Sequence, residues 1–131
     1  MLNKIYLCFK EYLSETFPDV SIDDYRGEFN DKSPTGWNPR FPCCLITLDE
    51  YSPVVRSSAN QIIKHSAKFT LFIGEKNSNG FEIIQQIIDD LNGIMLNIPI
   101  PETYYCVQVG SVKFVTGIKS VRVHSIEILI Q

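Results

Sequence analysis

The spacing of apolar positions predicts two helices. Between residues 2 and 16, apolar side chains recur at steps of three and four and form one stripe along a helix. Pro18 ends this helix, because helical geometry is disfavoured at the residue before a proline. A second stripe predicts a helix over residues 80–92, which Asn79 can cap and Gly93 can end. The two stripes consist of Leu2, Ile5, Tyr6, Phe9 and Leu13, and of Phe81, Ile84, Ile87, Ile88 and Leu91.

Apolar runs and alternating runs predict the strands. Residues 20–29, "VSIDDYRGEF", contain a short edge strand, and residues 41–51, "FPCCLITLDEY", fit a strand covered on both faces. Clean alternation follows in "KHSAKFTLFI", whereas residues 52–61, "SPVVRSSANQ", indicate a polar turn or hairpin connection. Three further strands are predicted from "YYCVQVG", "VKFVTG" and "SVRVHSIEILIQ".

The last of these strands is apolar on both of its phases. Val121 and Val123 share one phase, the isoleucines from residue 126 onward share the other, and a bulge near residues 124–125 would reconcile them. A strand of this kind either lies inside the sheet or is covered by a neighbouring subunit, because an exposed one would promote aggregation.

The order of elements indicates an α+β domain. Helices that are few and separated by runs of strands favour an antiparallel or mixed β-sheet with the two helices packed on one face. With 131 residues, of which 44% are hydrophobic and 21% charged, the chain suits a single domain over residues 1–131. A domain of this size buries roughly 65–70% of its unfolded surface, so a core can form without disulfides or metals.

The four cysteines do not suggest a chemical centre. Cys43 and Cys44 are adjacent in a predicted strand, where neighbouring side chains point to opposite faces and cannot readily share a metal ion. Cys8 and Cys106 add no paired spacing of the kind that zinc sites use. Because free cysteine is among the most often buried residues, we predict that Cys43 and Cys44 pack on the two faces of one strand.

No other pattern points to catalysis. The chain has no phosphate-binding glycine loop, nucleophile elbow or H-E-x-x-H helix, and no positioned histidine is evident for Cys106. His65 falls in phase with the core positions of its strand, and His124 lies at the expected bulge, so both fit the margin of a core better than the role of a base. We therefore predict that the protein is not an enzyme and has no catalytic residue, metal site or cofactor.

Charge and hydropathy narrow the classes of partner. A net charge of −3 and a pI near 5.3 argue against nucleic-acid binding, which normally needs a basic excess. No apolar stretch approaches the roughly 20 residues that cross a bilayer, and the N-terminus lacks the features of a secretory signal. These observations predict a cytoplasmic protein without a membrane partner.

The loop over residues 27–40 is the strongest candidate for a binding surface. It carries the single tryptophan, Trp37, together with Phe29, Asn38 and Arg40, in a segment too polar to form a core by itself. Tryptophan and arginine are enriched among the residues that dominate protein interfaces, worth roughly 2 kcal/mol or more each when central. One interpretation is a protein-contact loop, and the other is that Trp37 folds back as a lid on the sheet.

The order of elements over nearly the whole chain also carries a family resemblance. An amphipathic helix ("KIYLCFKEYL") precedes a short strand, an irregular loop and a strand that opens with Phe-Pro ("RFPCCLITL"). A "KFTLFI" strand, a helix ("FEIIQQIIDDL") and a final strand ("HSIEILI") follow. In this order the chain resembles the tail terminator, or tail completion, proteins of long-tailed phages and prophages, and the related neck and head–tail joining proteins.

The resemblance implies a structural virion-assembly protein. Such proteins form a ring, typically a hexamer, which caps the tail tube and meets the head, first in the cytoplasm and then in the virion tail. The implied partners are further copies of the chain, the tail tube protein and head–neck proteins. By the same analogy, "NDKSPTGWNPR" and the loops around "SPVVRSSAN" and "VGSVKFVTG" would be contact or lumen segments. Asp31, Lys32 and Arg56 complete the candidate interface residues, which rest on residue chemistry rather than on a family site.

The alternative is a small ligand-binding or enzymatic α+β domain with a pocket between helix and sheet. It predicts a monomer or dimer, a concave apolar site and loss of function on changing His65, His124 or Cys106. The assembly hypothesis predicts that the same substitutions alter at most the stability of the fold.

Overall fold

A computed structural model describes residues 1–29, 40–56, 62–76, 80–99, 102–118 and 120–131. These residues form two helices and six strands, which confirms the predicted α+β class. In chain order the elements are α1 (Leu2–Thr16), β1 (Ser21–Asp24), β2 (Cys43–Arg56), β3 (Ile62–Lys76), α2 (Glu82–Leu91), β4 (Met95–Pro99), β5 (Glu102–Ile118) and β6 (Val121–Ile130).

The six strands form one mixed sheet in the order β1-β2-β3-β6-β5-β4. β1 runs parallel to β2, and each of the other neighbouring pairs is antiparallel. β6 lies at the centre of the sheet, between β3 and β5. The final strand of the chain is therefore internal, which is one of the two positions that its two apolar phases predicted.

Both helices pack on the same face of the sheet and form the main core with it. The first helix has the bounds that its apolar stripe predicts. The second helix begins at Glu82, and Phe81 lies half exposed at its N-cap rather than in the buried stripe. Gly93 follows this helix with a φ of 86°, the left-handed conformation expected of its stop. The helix side chains in this core are Ile5, Phe9 and Leu13 of α1 and Ile84, Ile87 and Leu91 of α2.

The change of phase in β6 is not a bulge, so that prediction is wrong. β6 pairs with β3 in unbroken register from Val121 to Ile130, and the register shifts against β5 place the extra residues in β5. The isoleucines of β6 face the helices, whereas Val123 belongs to a small second core on the opposite face. The apolar phase changes along β6 because the face of the sheet that carries a core changes along the strand.

The second core covers one end of the face opposite the helices. Tyr25, just after β1, stacks on Phe72 of β3 with ring centroids 4.1 Å apart. Cys43 lies in this core and Cys44 in the main one, which confirms that the two cysteines pack on opposite faces of one strand. The buried members are Phe29, Cys43, Leu45 and Val123, and the partly buried ones are Tyr25, Phe41, Phe72 and Val121.

Three strand predictions need correction. Residues 52–56 continue β2 rather than form a turn, and they pair with the first residues of β3. The two strands predicted from "YYCVQVG" and "VKFVTG" are one strand, β5, whose irregularities lie near Gly110 and Val115. β4 was not expected, because its prolines resemble a loop; Pro99 is its last residue, where a missing N–H costs little.

Candidate interaction surface

Burial favours the thiol form of Cys8, Cys43 and Cys44. Burial raises the pKa of the Cys43 thiol to about 12, and it raises the pKa of the fully buried Cys44 further. Burial and the nearby Glu11 carboxylate also raise the pKa of Cys8. Because the thiolate is the reactive form and the metal ligand, Cys43 and Cys44 act here as small apolar side chains.

His65 is engaged by its neighbours at the margin of the main core. Its Nδ1 lies 2.6 Å from the hydroxyl oxygen of Tyr51, and the two rings stack with centroids 5.8 Å apart. Within the described ranges, no group of three or more His, Cys, Asp or Glu side chains is arranged to hold a metal ion. In the same ranges, neither helix has the length and apolarity needed to cross a membrane.

The structure separates the residues that the sequence proposed for an interface. Phe29 is only 6% exposed and packs in the second core, so its side chain supports the fold rather than an outer surface. Arg40 is exposed and lines a shallow cavity beside Phe41 and Pro42. Arg56 ends β2, paired with Ile62 of β3. The remaining candidates, which are Asp31, Lys32, Trp37 and Asn38, lie outside the described residues.

An exposed aromatic patch lies at one end of the helix-bearing face. It consists of Phe81, Phe114 and His124, and His124 lies between the two phenyl rings. Each ring meets the imidazole edge to face, with centroids 5.6 Å apart. Phe81 is 56% exposed and Phe114 is 65% exposed. Singly exposed apolar residues are common on protein surfaces, but clustered large aromatics mark binding sites.

Three elements position this patch. Phe81 is the N-cap of α2, which the helix stripe anchors to the sheet. His124 is directly opposite Phe114 in the pairing of β6 with β5, and opposite Ile73 in the pairing of β6 with β3. Because directly opposed side chains of an antiparallel pair lie on the same face, the ladder fixes Phe114 beside His124. The patch is therefore built on regular structure.

An ion pair adjoins the aromatic patch, with the buried Glu75 beneath it and Arg122 beside it. Glu75 of β3 is directly opposite Arg122 of β6 and is only 3% exposed. Its Oε2 lies 4.0 Å from Nη2 of Arg122, and neither carboxylate oxygen has a hydrogen-bond partner among the residues that the structure describes. The Arg122 guanidinium lies 5.1 Å from the centre of the Phe81 ring and donates a hydrogen bond to the carbonyl oxygen of Gly80. Arg122 thus links the buried carboxylate to the rim of the aromatic patch.

His124 keeps the floor of the patch uncharged near neutral pH. Its partial burial lowers the pKa of the imidazole below the ordinary value of 6.5, and the positive charge of Arg122 lowers it further. The Glu75 carboxylate acts in the opposite direction but does not reverse the shift. A neutral imidazole between two phenyl rings makes the patch an apolar surface with one cation at its rim.

A different surface lies near the opposite edge of the sheet, where β2 extends beyond β1. Leu48 is 43% exposed there and is followed by exposed Asp49 and Glu50. The register between β2 and β3 shifts between Leu48 and Glu50, which leaves Asp49 as the extra residue of a bulge. Asp49 accepts a hydrogen bond from the Thr70 hydroxyl, and Glu50 lies 3.4 Å from the Lys68 ammonium.

A groove of about 370 Å³ crosses the face opposite the helices. Gly110 permits its shape, because a Cβ there would lie only 3.2 Å from the Cβ of Glu127. Glu127 is already paired with Lys113 at 3.5 Å. The side chains that line the groove include Asp49, Lys68, Gln108, Glu127 and Leu129.

Sequence reasoning did not identify the aromatic patch. Helical periodicity places Phe81 in the buried stripe of α2, whereas Phe114 lies in "VGSVKFVTG", a contact or lumen segment only by the family resemblance. One sequence signal for the patch is the alternation along β5, where Val112 and Phe114 alternate with Lys113. This alternation does not show which strands lie beside β5. Only the sheet order shows that this part of β5 lies at an open edge.

Comparison with known proteins does not assign a family. No protein-family model matches the chain. No curated protein matches it significantly.

Proposed function

We propose that this chain is a structural subunit that assembles with copies of itself into a ring, in the manner of a phage tail terminator. The observation that carries the proposal is the aromatic patch of Phe81, Phe114 and His124. Two phenyl rings are more than half exposed there, and both are held by regular secondary structure. Aromatic and arginine side chains on a rigid base are the usual anchors of protein interfaces.

The free energy of burying apolar surface favours a patch covered by another molecule over a patch exposed to water. A fully buried Phe side chain contributes roughly 1.5–3 kcal/mol relative to an exposed one, so covering two half-exposed rings would recover about that amount. Val112 is also exposed and precedes Phe114 by two residues on the same strand. Because residues two apart on a strand share a face, Val112 extends the patch along β5.

The role that we propose for the ring comes from the resemblance to tail terminator proteins. In that role the ring would cap the tail tube and present a second surface to head–neck proteins. The contact segments would include the loop that carries Trp37, which is outside the described residues, and the exposed Arg40 at its end.

The test is the solution mass of the purified chain, measured by light scattering at two protein concentrations and two salt concentrations. A ring of about six copies, or a monomer that converts to it as concentration rises, is the expected result. Negative-stain electron microscopy of the same sample would show whether the particle is closed. A monomer at every concentration and salt level would contradict self-assembly.

A further inference from the structure

Resting on this proposed function, we propose that neighbouring copies join head to tail, with the β5 edge of one copy docked against the β2 edge of the next. The β5 edge surface is residues 110–118 with Phe81 and Arg122. The β2 edge surface is residues 47–53. The occupant of each surface is therefore the other surface of a second copy of this chain.

Both surfaces lie where an outer strand of the sheet ends before its neighbour does. β4 pairs with β5 only over residues 102–106, and residues 110–115 of β5 are all exposed. β1 pairs with β2 only over residues 43–46, and residues 48–50 are exposed beyond it. In the part of the chain that the structure describes, no further strand pairs with either outer edge. Among the described residues, both edges are open to a neighbouring molecule.

The β5 edge lacks most of the charges and all of the prolines that commonly protect an edge strand against association, although it carries two bulges. Natural edge strands are commonly short, or carry several charges or a proline. Residues 110–118 include a single charged residue, Lys113, and no proline, and they expose Val112, Phe114 and Val115. The two irregularities in β5 interrupt a continuous ladder, so the contact that we infer is carried mainly by side chains.

Charge makes the β2 edge a suitable occupant. The β5 edge surface carries two cations, Arg122 beside Phe81 and Lys113 on the face of the sheet opposite the aromatic rings. The β2 edge surface carries Asp49 and Glu50 next to the exposed Leu48. An apolar centre with positive charges would thus meet an apolar residue with negative charges, whereas a contact between two β5 edges would bring like charges together.

The ion pairs within each copy do not prevent these charged side chains from pairing with a neighbouring copy. Lys113 pairs with Glu127 and Glu50 pairs with Lys68, and more than half of each of these four side chains remains accessible. Such solvent-exposed pairs contribute little to stability and rearrange easily.

The sheet order makes this contact heterologous. The two surfaces belong to opposite edges of one six-stranded sheet, so each copy offers one surface of each kind. Head-to-tail contacts of this type generate a closed ring if the rotation between copies closes, and an open filament if it does not. Complementary surfaces on the two opposite edges of the sheet would therefore allow copies of the chain to close into a ring.

The test uses two variants that each block one surface. Phe114→Glu places a carboxylate on the β5 edge, and Leu48→Arg places a cation on the β2 edge. Both positions are exposed, so both variants should fold, as circular dichroism and thermal unfolding would verify. Leu7→Glu is the matched control, because Leu7 is an exposed leucine on the outer side of α1.

We expect each blocked variant alone to associate at least tenfold more weakly than the wild type, and Leu7→Glu to assemble normally. An equimolar mixture of the two variants should associate, with a dimer as its smallest product, because one intact β2 edge then meets one intact β5 edge. Light scattering and sedimentation would measure all five samples.

Two outcomes would overturn the inference without affecting the proposed function. One is a wild-type ring that both blocked variants still form. The other is a mixture that stays monomeric although the wild type assembles. A wild type that never assembles would instead refute the proposed function itself. A Leu48→Arg variant that dimerises alone, while Phe114→Glu does not, would show that two β5 edges meet each other.

Discussion

The buried charge pair gives the sharpest prediction about stability. Arg122→Met keeps most of the side-chain volume but leaves Glu75 as a buried carboxylate without a counter-charge. At 4.0 Å and an effective dielectric constant of about 20, the attraction in the pair is roughly 4 kcal/mol. Since the Arg122 side chain is 34% exposed, solvent screening reduces this, and we expect Arg122→Met to cost about 2 kcal/mol of unfolding free energy.

A double-mutant cycle separates the charge pair from the other contacts of Arg122. Glu75→Gln removes the buried charge and should cost less than Arg122→Met. In the Glu75→Gln background, Arg122→Met should lose the contacts of Arg122 other than the ion pair, among them the ring contact with Phe81 and the hydrogen bond to Gly80, about 1 kcal/mol. Urea unfolding of the four proteins measures the coupling. A coupling energy indistinguishable from zero would refute the reasoning.

The remaining predictions concern the core, the imidazole and one glycine. Phe9→Ala should destabilise the protein by about 3–5 kcal/mol in urea unfolding, whereas Leu7→Ala on the outer side of the same helix should change little. Stability should fall as pH drops below about 6.5, because the lowered pKa of His124 means that the unfolded chain binds the proton more tightly; thermal melts of His124→Gln should lack that part of the loss. Gly74→Ala should cost about 1–3 kcal/mol, because the new Cβ would lie 2.8 Å from Sγ of Cys43; an unchanged melting temperature would contradict this.

Local patterns predicted the parts of the fold that depend on periodicity. The stripe of α1 gave its bounds, and Gly93 marked the end of α2, because a helix repeats every 3.6 residues and its stop favours a left-handed glycine. The placement of Cys43 and Cys44 on opposite faces followed from the alternation of a strand alone.

Patterns failed where a residue's surroundings come from distant parts of the chain. The phase change of β6 predicts a bulge, because the sequence does not show that Tyr25, Phe29 and Phe41 cover the face opposite the helices at one end of the sheet. β4 was missed because prolines at a strand end look the same as prolines in a loop. Residues 52–56 looked like a turn, although pairing with β3 makes them a strand.

The sequence by itself determined the α+β class, the two helices and the packing of Cys43 and Cys44 on opposite faces of one strand, because these depend on local periodicity and on residue chemistry. The candidate surfaces depend on the tertiary structure. Phe81 and Phe114 are 33 positions apart, and they flank His124 only because β5 pairs with β6 and α2 begins at the same end of the sheet. Which edges of a sheet stay open is a property of strand order, and strand order is set by long-range pairing that no local pattern encodes.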